Sequence, residues 1–184
     1  KKIIDGRLGF VSRTSYRNDI KIAEFDMDID HYGHGGVKIE HVSICDENGD
    51  QFSWVVGGEM VYLQILLLAS ANIKRPIVGF QFKDPRGQVI FADNTSLTTA
   101  ENPISIPKGQ KFKAEFVFQM PLLPHGEYSI RAAVANGTEA EARMLDCVDD
   151  ALILSCSPQG VRHGLVGLPM EKVSLEVMGN RPGN

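Results

Sequence analysis

The chain is 184 residues long with a hydrophobic fraction of 43%, enough for one β-sandwich-sized domain with a single core. Its 19 Lys and Arg against 23 Asp and Glu give a net charge of −4, and no stretch concentrates the basic residues, which excludes a phosphate-binding nucleic-acid surface. The longest apolar run, Val61 to Ala71, is interrupted by Gln64 and is far shorter than the ~20 residues of a membrane span. The opening Lys1-Lys-Ile-Ile carries no secretory pattern and reads as a piece excised from something longer, so a signal further upstream stays open. Three cysteines without a C-x-x-C pair argue against a disulfide framework and make the cytoplasm the expected compartment.

In chain order, residues 1–34 read as a linker and leading arm, with a strand expected over Asp19 to Asp30 that puts Phe25, Met27 and Ile29 on one face. Residues 35–178 carry period-two alternation in segments of five to nine residues, with almost no helical period. Val37 and Ile39 are in phase and Val42 and Ile44 continue one position out, so a bulge is expected near Glu40 and His41. The next segment holds Phe52 and Trp54. Val61, Leu63, Ile65 and Leu67 then give a core face whose reverse, Tyr62, Gln64, Leu66 and Leu68, is too apolar for plain solvent. A loop, a ligand or another subunit would have to cover it. Val78, Phe80 and Phe82 alternate, as do Phe112, Ala114, Phe116 and Phe118, then Tyr128, Ile130, Ala132 and Val134, and finally Val173, Leu175 and Val177. Glu47-Asn-Gly-Asp50, Pro85-Arg-Gly87, Pro107-Lys-Gly109, His125-Gly126 and Asn136-Gly137 supply the turns. Residues 179–184 read as a disordered tail. The fold class expected is all-β, an antiparallel immunoglobulin-like or jelly-roll β-sandwich.

No catalytic constellation is present: there is no nucleophile elbow, phosphate-cradling loop or dinucleotide fingerprint. Asp26, Asp28 and Asp30 have the spacing that opens a calcium loop, but His31 and Val37 stand where that loop needs Gly and Glu. The apolar alternation explains the same segment as the wet face of a strand, so no metal ligand, cofactor or catalytic residue is assigned. For a binding module, sugar C–H faces stack on aromatic rings and hydroxyls need fixed polar partners. If the strands share a sheet, the non-core face gathers Tyr62, Gln64, Gln81, Lys83 and Arg131. Trp54 joins them for its stacking capacity, although a core tryptophan reads the same way.

Several spaced motifs agree in order with a known family. Val37-Lys-Ile-Glu-His-Val-Ser-Ile-Cys-Asp-Glu-Asn-Gly49, Gly58-Glu-Met-Val-Tyr-Leu63, Pro76-Ile-Val-Gly-Phe-Gln-Phe-Lys-Asp-Pro-Arg-Gly87, Val89-Ile-Phe-Ala-Asp-Asn-Thr95 and Leu123-Pro-His-Gly-Glu-Tyr128 resemble the C-terminal domain of Wzt-type ATPase subunits, which belong to ABC transporters of O-antigen polysaccharide. The likeness spans about residues 35–135. It implies an immunoglobulin-like sandwich that recognises the modified, non-reducing end of the polysaccharide. It also implies a homodimer, an ATPase domain in the same polypeptide, a membrane subunit as partner, and a cytoplasmic place at the inner membrane. A terminal strand over Lys172–Met178 exchanged between subunits fits that picture. Two other classes stay open, a structural or dimerising sandwich and an accessory carbohydrate-binding module of an enzyme.

Overall fold

The computed structural model describes residues 3–5, 18–158, 164–168 and 175. In chain order the strands are β1 (Ile3–Asp5), β2 (Asn18–Ile22), β3 (Val37–Cys45), β4 (Gln51–Val55), β5 (Met60–Ala69), β6 (Pro76–Lys83), β7 (Val89–Asn94), β8 (Lys111–Gln119), β9 (Gly126–Asn136) and β10 (Arg143–Pro158). A single 3-10 turn, Glu139–Glu141, is the one helical element among the described residues. Among the described residues no helix is long and apolar enough to cross a membrane.

The hydrogen-bonded path runs β7-β6-β9-β10-β2-β4-β3-β5-β8, antiparallel throughout, with β1 added parallel to β4. The path curls until its ends face each other. Phe80 of β6 lies 4.9 Å from Phe116 and 6.0 Å from Phe118 of β8, ring centre to ring centre, although β6 and β8 share no ladder. Two halves therefore pack face to face: β7-β6-β9-β10, and β2-β4-β3-β5-β8. Between them lie the alternating residues expected from the sequence, among them Leu63, Ile65, Leu67, Val78, Phe82, Ile130 and Val134, all nearly or wholly buried. Phe116 and Phe118 are half-buried and pack against this core from the open edge.

The bulge falls between Ile39 and His41. The strand expected over Asp19–Asp30 ends instead at Ile22. There the Asp26 carboxylate captures the amide of Asp28 at 2.9 Å and the Asp26 carbonyl accepts from Ile29, so side chain and turn take over from the ladder. Phe25 is buried but Met27 is exposed, so the three apolar residues do not share a face. Residues 18–22, expected in a leading arm, sit within the sheet between β10 and β4. The strand expected over Lys172–Met178 and the tail lie outside the described residues, except for an exposed Leu175.

Candidate functional site

Alternation sends Ile77, Gly79, Gln81 and Lys83 of β6, and Ser129, Arg131, Ala133 and Ala135 of β9, to the outer face of their half. The register sets Gly79 between Asn94 and Ala133, Gln81 between Ala92 and Arg131, and Ile77 beside Ala135. Ala133 and Ala135 in turn lie beside Cys147 and Met144 of β10. Ala and Gly are depleted in strands, because they offer little side chain to pack across a pleated surface. Gathered here, they leave a trough of about 450 Å³, a volume ordinary for a ligand site. A Cβ on Gly79 would stand 2.9 Å from the Asn94 Cβ and 3.0 Å from the Asp93 carbonyl oxygen, so glycine lets β7 close over the trough floor.

Polar groups gather at one end of the trough. Arg131 donates through Nη1 to Gln81 Oε1 at 3.3 Å, directly across the ladder, and through Nε to Cys147 Sγ at 3.0 Å. Its Nε also lies 3.2 Å from Asp149 Oδ1, the oxygen that Lys83 Nζ reaches at 3.2 Å. Tyr32 donates its hydroxyl to Asp149 Oδ2 at 2.8 Å, and its ring lies 5.8 Å from the Arg131 guanidinium, within cation–π range. Burial alone would raise the Asp149 carboxyl, but the bonds from Tyr32 and Lys83 and the charges of Lys83 and Arg131 hold it below its ordinary value. Burial, then the bonds to Cys147 and Asp149, push the Tyr32 hydroxyl well above its ordinary range, so it stays protonated and donating. Burial works against the Arg131 charge, and the Cys147 bond with the Asp149 charge outweighs it. The result is a guanidinium fixed in place at the head of a trough of small residues.

Tyr32 reaches this place because residues 32–35 run along β10. The amides of Tyr32, His34 and Gly35 donate to the carbonyls of Cys147, Met144 and Leu145. At Gly33 φ is +148°, and a Cβ would sit 2.3 Å from the Leu145 oxygen, so only glycine fits. Asp146 anchors the same segment. Its carboxylate takes the Ile39 amide at 2.7 Å, the Cys147 amide at 3.0 Å and His31 Nδ1 at 2.9 Å, fastening the bulges of β3 and β10 together.

Of the six residues singled out in the sequence, the structure brings Gln81, Lys83 and Arg131 together at the head of the trough. Trp54, Tyr62 and Gln64 lie in the other half. Trp54 is half-buried beside Lys21 of β2, and Tyr62 is half-buried beside Val117 of β8. Gln64 is only 6% exposed and donates to Glu115 Oε2 at 2.8 Å, in the reach of Lys113. Because the halves pack face to face, the outer surfaces that carry these two groups point in opposite directions. Sequence reasoning missed Tyr32, Gly79, Asn94, Met144, Cys147 and Asp149. Only Tyr32 carried a signal, an aromatic beside a glycine that must take an unusual backbone conformation.

The architecture is that of a β-sandwich with a trough on one outer face. The family model described as the Wzt C-terminal domain matches residues 28–168, and the chain belongs to that family. Among solved structures, one titled as the crystal structure of the C-terminal domain of wzt is similar at a TM-score of 0.69 and 18% identity, covering 83% of this chain and 92% of that one. Chicken MD-1 complexed with lipid IVa also matches, at a TM-score of 0.37 and 13% identity over 77% of this chain and 91% of that one. Among curated protein sequences none matches.

Proposed function

We propose that this domain binds the end of a polysaccharide, an O-antigen chain awaiting export, in the trough between β7 and β10. The observation that carries the reading is the fixed Arg131–Gln81 pair at the head of a floor of Gly79, Ala92, Ala133 and Ala135. Planar groups of this kind meet sugar hydroxyls in pairs, and small residues let a ring lie close to the sheet. Binding rather than catalysis is the role, and the domain serves an ABC transporter subunit whose ATPase part shares the polypeptide, at the cytoplasmic side of the inner membrane. Gln81 and Arg131 touch the glycan, Lys83 holds Asp149 behind them, and Trp54, Tyr62 and Gln64 stand outside the site. Within this reading two subunits pair through residues 172–178, which sedimentation of the chain lacking residues 171–184 tests as a change of mass.

Binding of the isolated domain to capped and uncapped O-polysaccharides, with variants R131M, A133F and W54A checked for folding by thermal melt, tests the site. R131M and A133F should lose affinity by tenfold or more, on the order of 1.5–3 kcal/mol for a charged hydrogen bond, while W54A should bind like the native chain. Native affinity in both R131M and A133F would move the site off this face.

A further inference from the structure

The trough opens at one end into a second cleft. At the head, the Gln81–Arg131 pair spans the floor, and behind it the Lys83–Asp149–Tyr32 cluster occupies the sheet surface. At the opposite end, Ile77, Ser96 and Leu97 line both the trough and a second cleft of about 250 Å³. That cleft lies between the start of β6 and the loop after β7, with Arg75, Thr99, Ala100 and Thr138 on its walls. Leu97 is 84% exposed at the junction, an apolar side chain held out over the passage with no core to join. Arg75 makes no ion pair among the described residues, whereas Arg131 is paired with Asp149.

We infer that the site takes two consecutive sugar residues in one direction, the terminal residue in the trough against Arg131 and the next in the cleft beside Arg75. This rests on the glycan reading above. With the chain's end seated against Arg131, as the glycan reading has it, the next residue lies past Leu97, which lines both the trough and the cleft. The ligand class is a linear glycan whose last two residues both contribute binding, the second through hydroxyl or acidic groups within reach of Arg75 and Thr138.

The test uses an array of O-polysaccharides with their terminal mono-, di- and trisaccharide fragments, read as dissociation constants for the native chain, R75A and A100W. Both substitutions fall on exposed positions outside the core. The disaccharide should bind about tenfold more tightly than the monosaccharide, as one charged hydrogen bond warrants, and the third residue should add less than twofold. R75A and A100W should bring the disaccharide down to the monosaccharide's affinity and leave the monosaccharide unchanged. A disaccharide no tighter than the monosaccharide, or a gain that survives both substitutions, overturns the second subsite while glycan binding stands. If no polysaccharide or fragment binds the native chain, the functional reading itself falls, and this inference with it.

Discussion

Gly79→Ala is the smallest change that probes the trough. The new Cβ would stand 2.9 Å from the Asn94 Cβ and 3.0 Å from the Asp93 carbonyl oxygen. Carbon atoms pack at about 3.5–4.0 Å, so β7 would have to retreat by roughly 0.6 Å or more. β7 pairs only with β6 among the described strands and is free to yield, which puts the cost at about 1–3 kcal/mol, the ordinary range for overpacking. At roughly 2–4 °C per kcal/mol for a chain of this length, the melting temperature should fall by about 2–12 °C. Asn94 moves with β7. Its Oδ1 holds the Ser96 amide at 2.8 Å, so the loop that carries Leu97 moves too and glycan affinity should drop with stability. Adding Asn94→Gly removes the closer of the two clashes and should restore part of the melting temperature. Thermal melts followed by circular dichroism, with amide chemical shifts of residues 92–97, read the effect. A melting temperature within about 1 °C of native and unmoved shifts would show that β7 does not close over Gly79.

Three further expectations follow from the same structure. Phe80→Ala should cost about 3–5 kcal/mol and the half-buried Phe116→Ala less, with a coupling of about 0.5–1.5 kcal/mol in a double-mutant cycle; absence of coupling would mean that the two halves do not meet there. Tyr32→Phe removes a donor to Asp149, so that carboxyl should titrate at higher pH by NMR. The stability it contributes is present above its ordinary value of 3.8 and is lost as pH falls through the lowered one, a loss the variant should show sooner on acidification. Glu59 runs the other way. Burial raises its carboxyl above the ordinary 4.5, outweighing bonds from the turn amides, and Oε2 has no partner among the described residues. Its contribution is full below 4.5 and is lost as pH rises through the raised value, so Glu59→Gln should flatten that part of the stability–pH curve; an unchanged curve would count against it.

The fold was legible wherever alternation ran unbroken. β5, β6 and β9 bury the residues their period-two pattern assigns to the core, whereas β8 buries Ala114 and leaves Phe112, Phe116 and Phe118 half-buried. β10 is the instructive failure. It is the longest strand, yet its register shifts between Met144 and Asp146 and again between Val148 and Leu152, with Asp150 at φ +52°. Each shift resets which residues face inward, so no period survives long enough to be read from sequence. That same irregularity places Asp149 on the trough side. A site built on a bulge is hidden for the reason that makes it a site: the bulge turns a side chain out of phase toward its neighbours. Asp26–Asp30 failed differently, since an aspartate that alternates with apolar residues in sequence can still seize a backbone amide and end the strand.

The two outer faces also explain why only half of the candidate residues gather. In the β2-β4-β3-β5-β8 half, Ser43 and Cys45 are wholly buried and Gln64 is tied to Glu115, so that surface has already used its polar capacity within the protein. On the reverse of β5 only Gln64 is buried, and Tyr62, Leu66 and Leu68 stay half-buried. On the other half the trough floor of Gly79, Ala92, Ala133 and Ala135 is small, and Arg131 is held by Asp149, Gln81 and Cys147. A guanidinium that has already lost its rotamer freedom loses little more on binding, while a free arginine would forfeit about 0.5–1.5 kcal/mol. The network around Arg131 therefore favours the trough twice over, by aiming the donors and by lowering the entropic cost of using them.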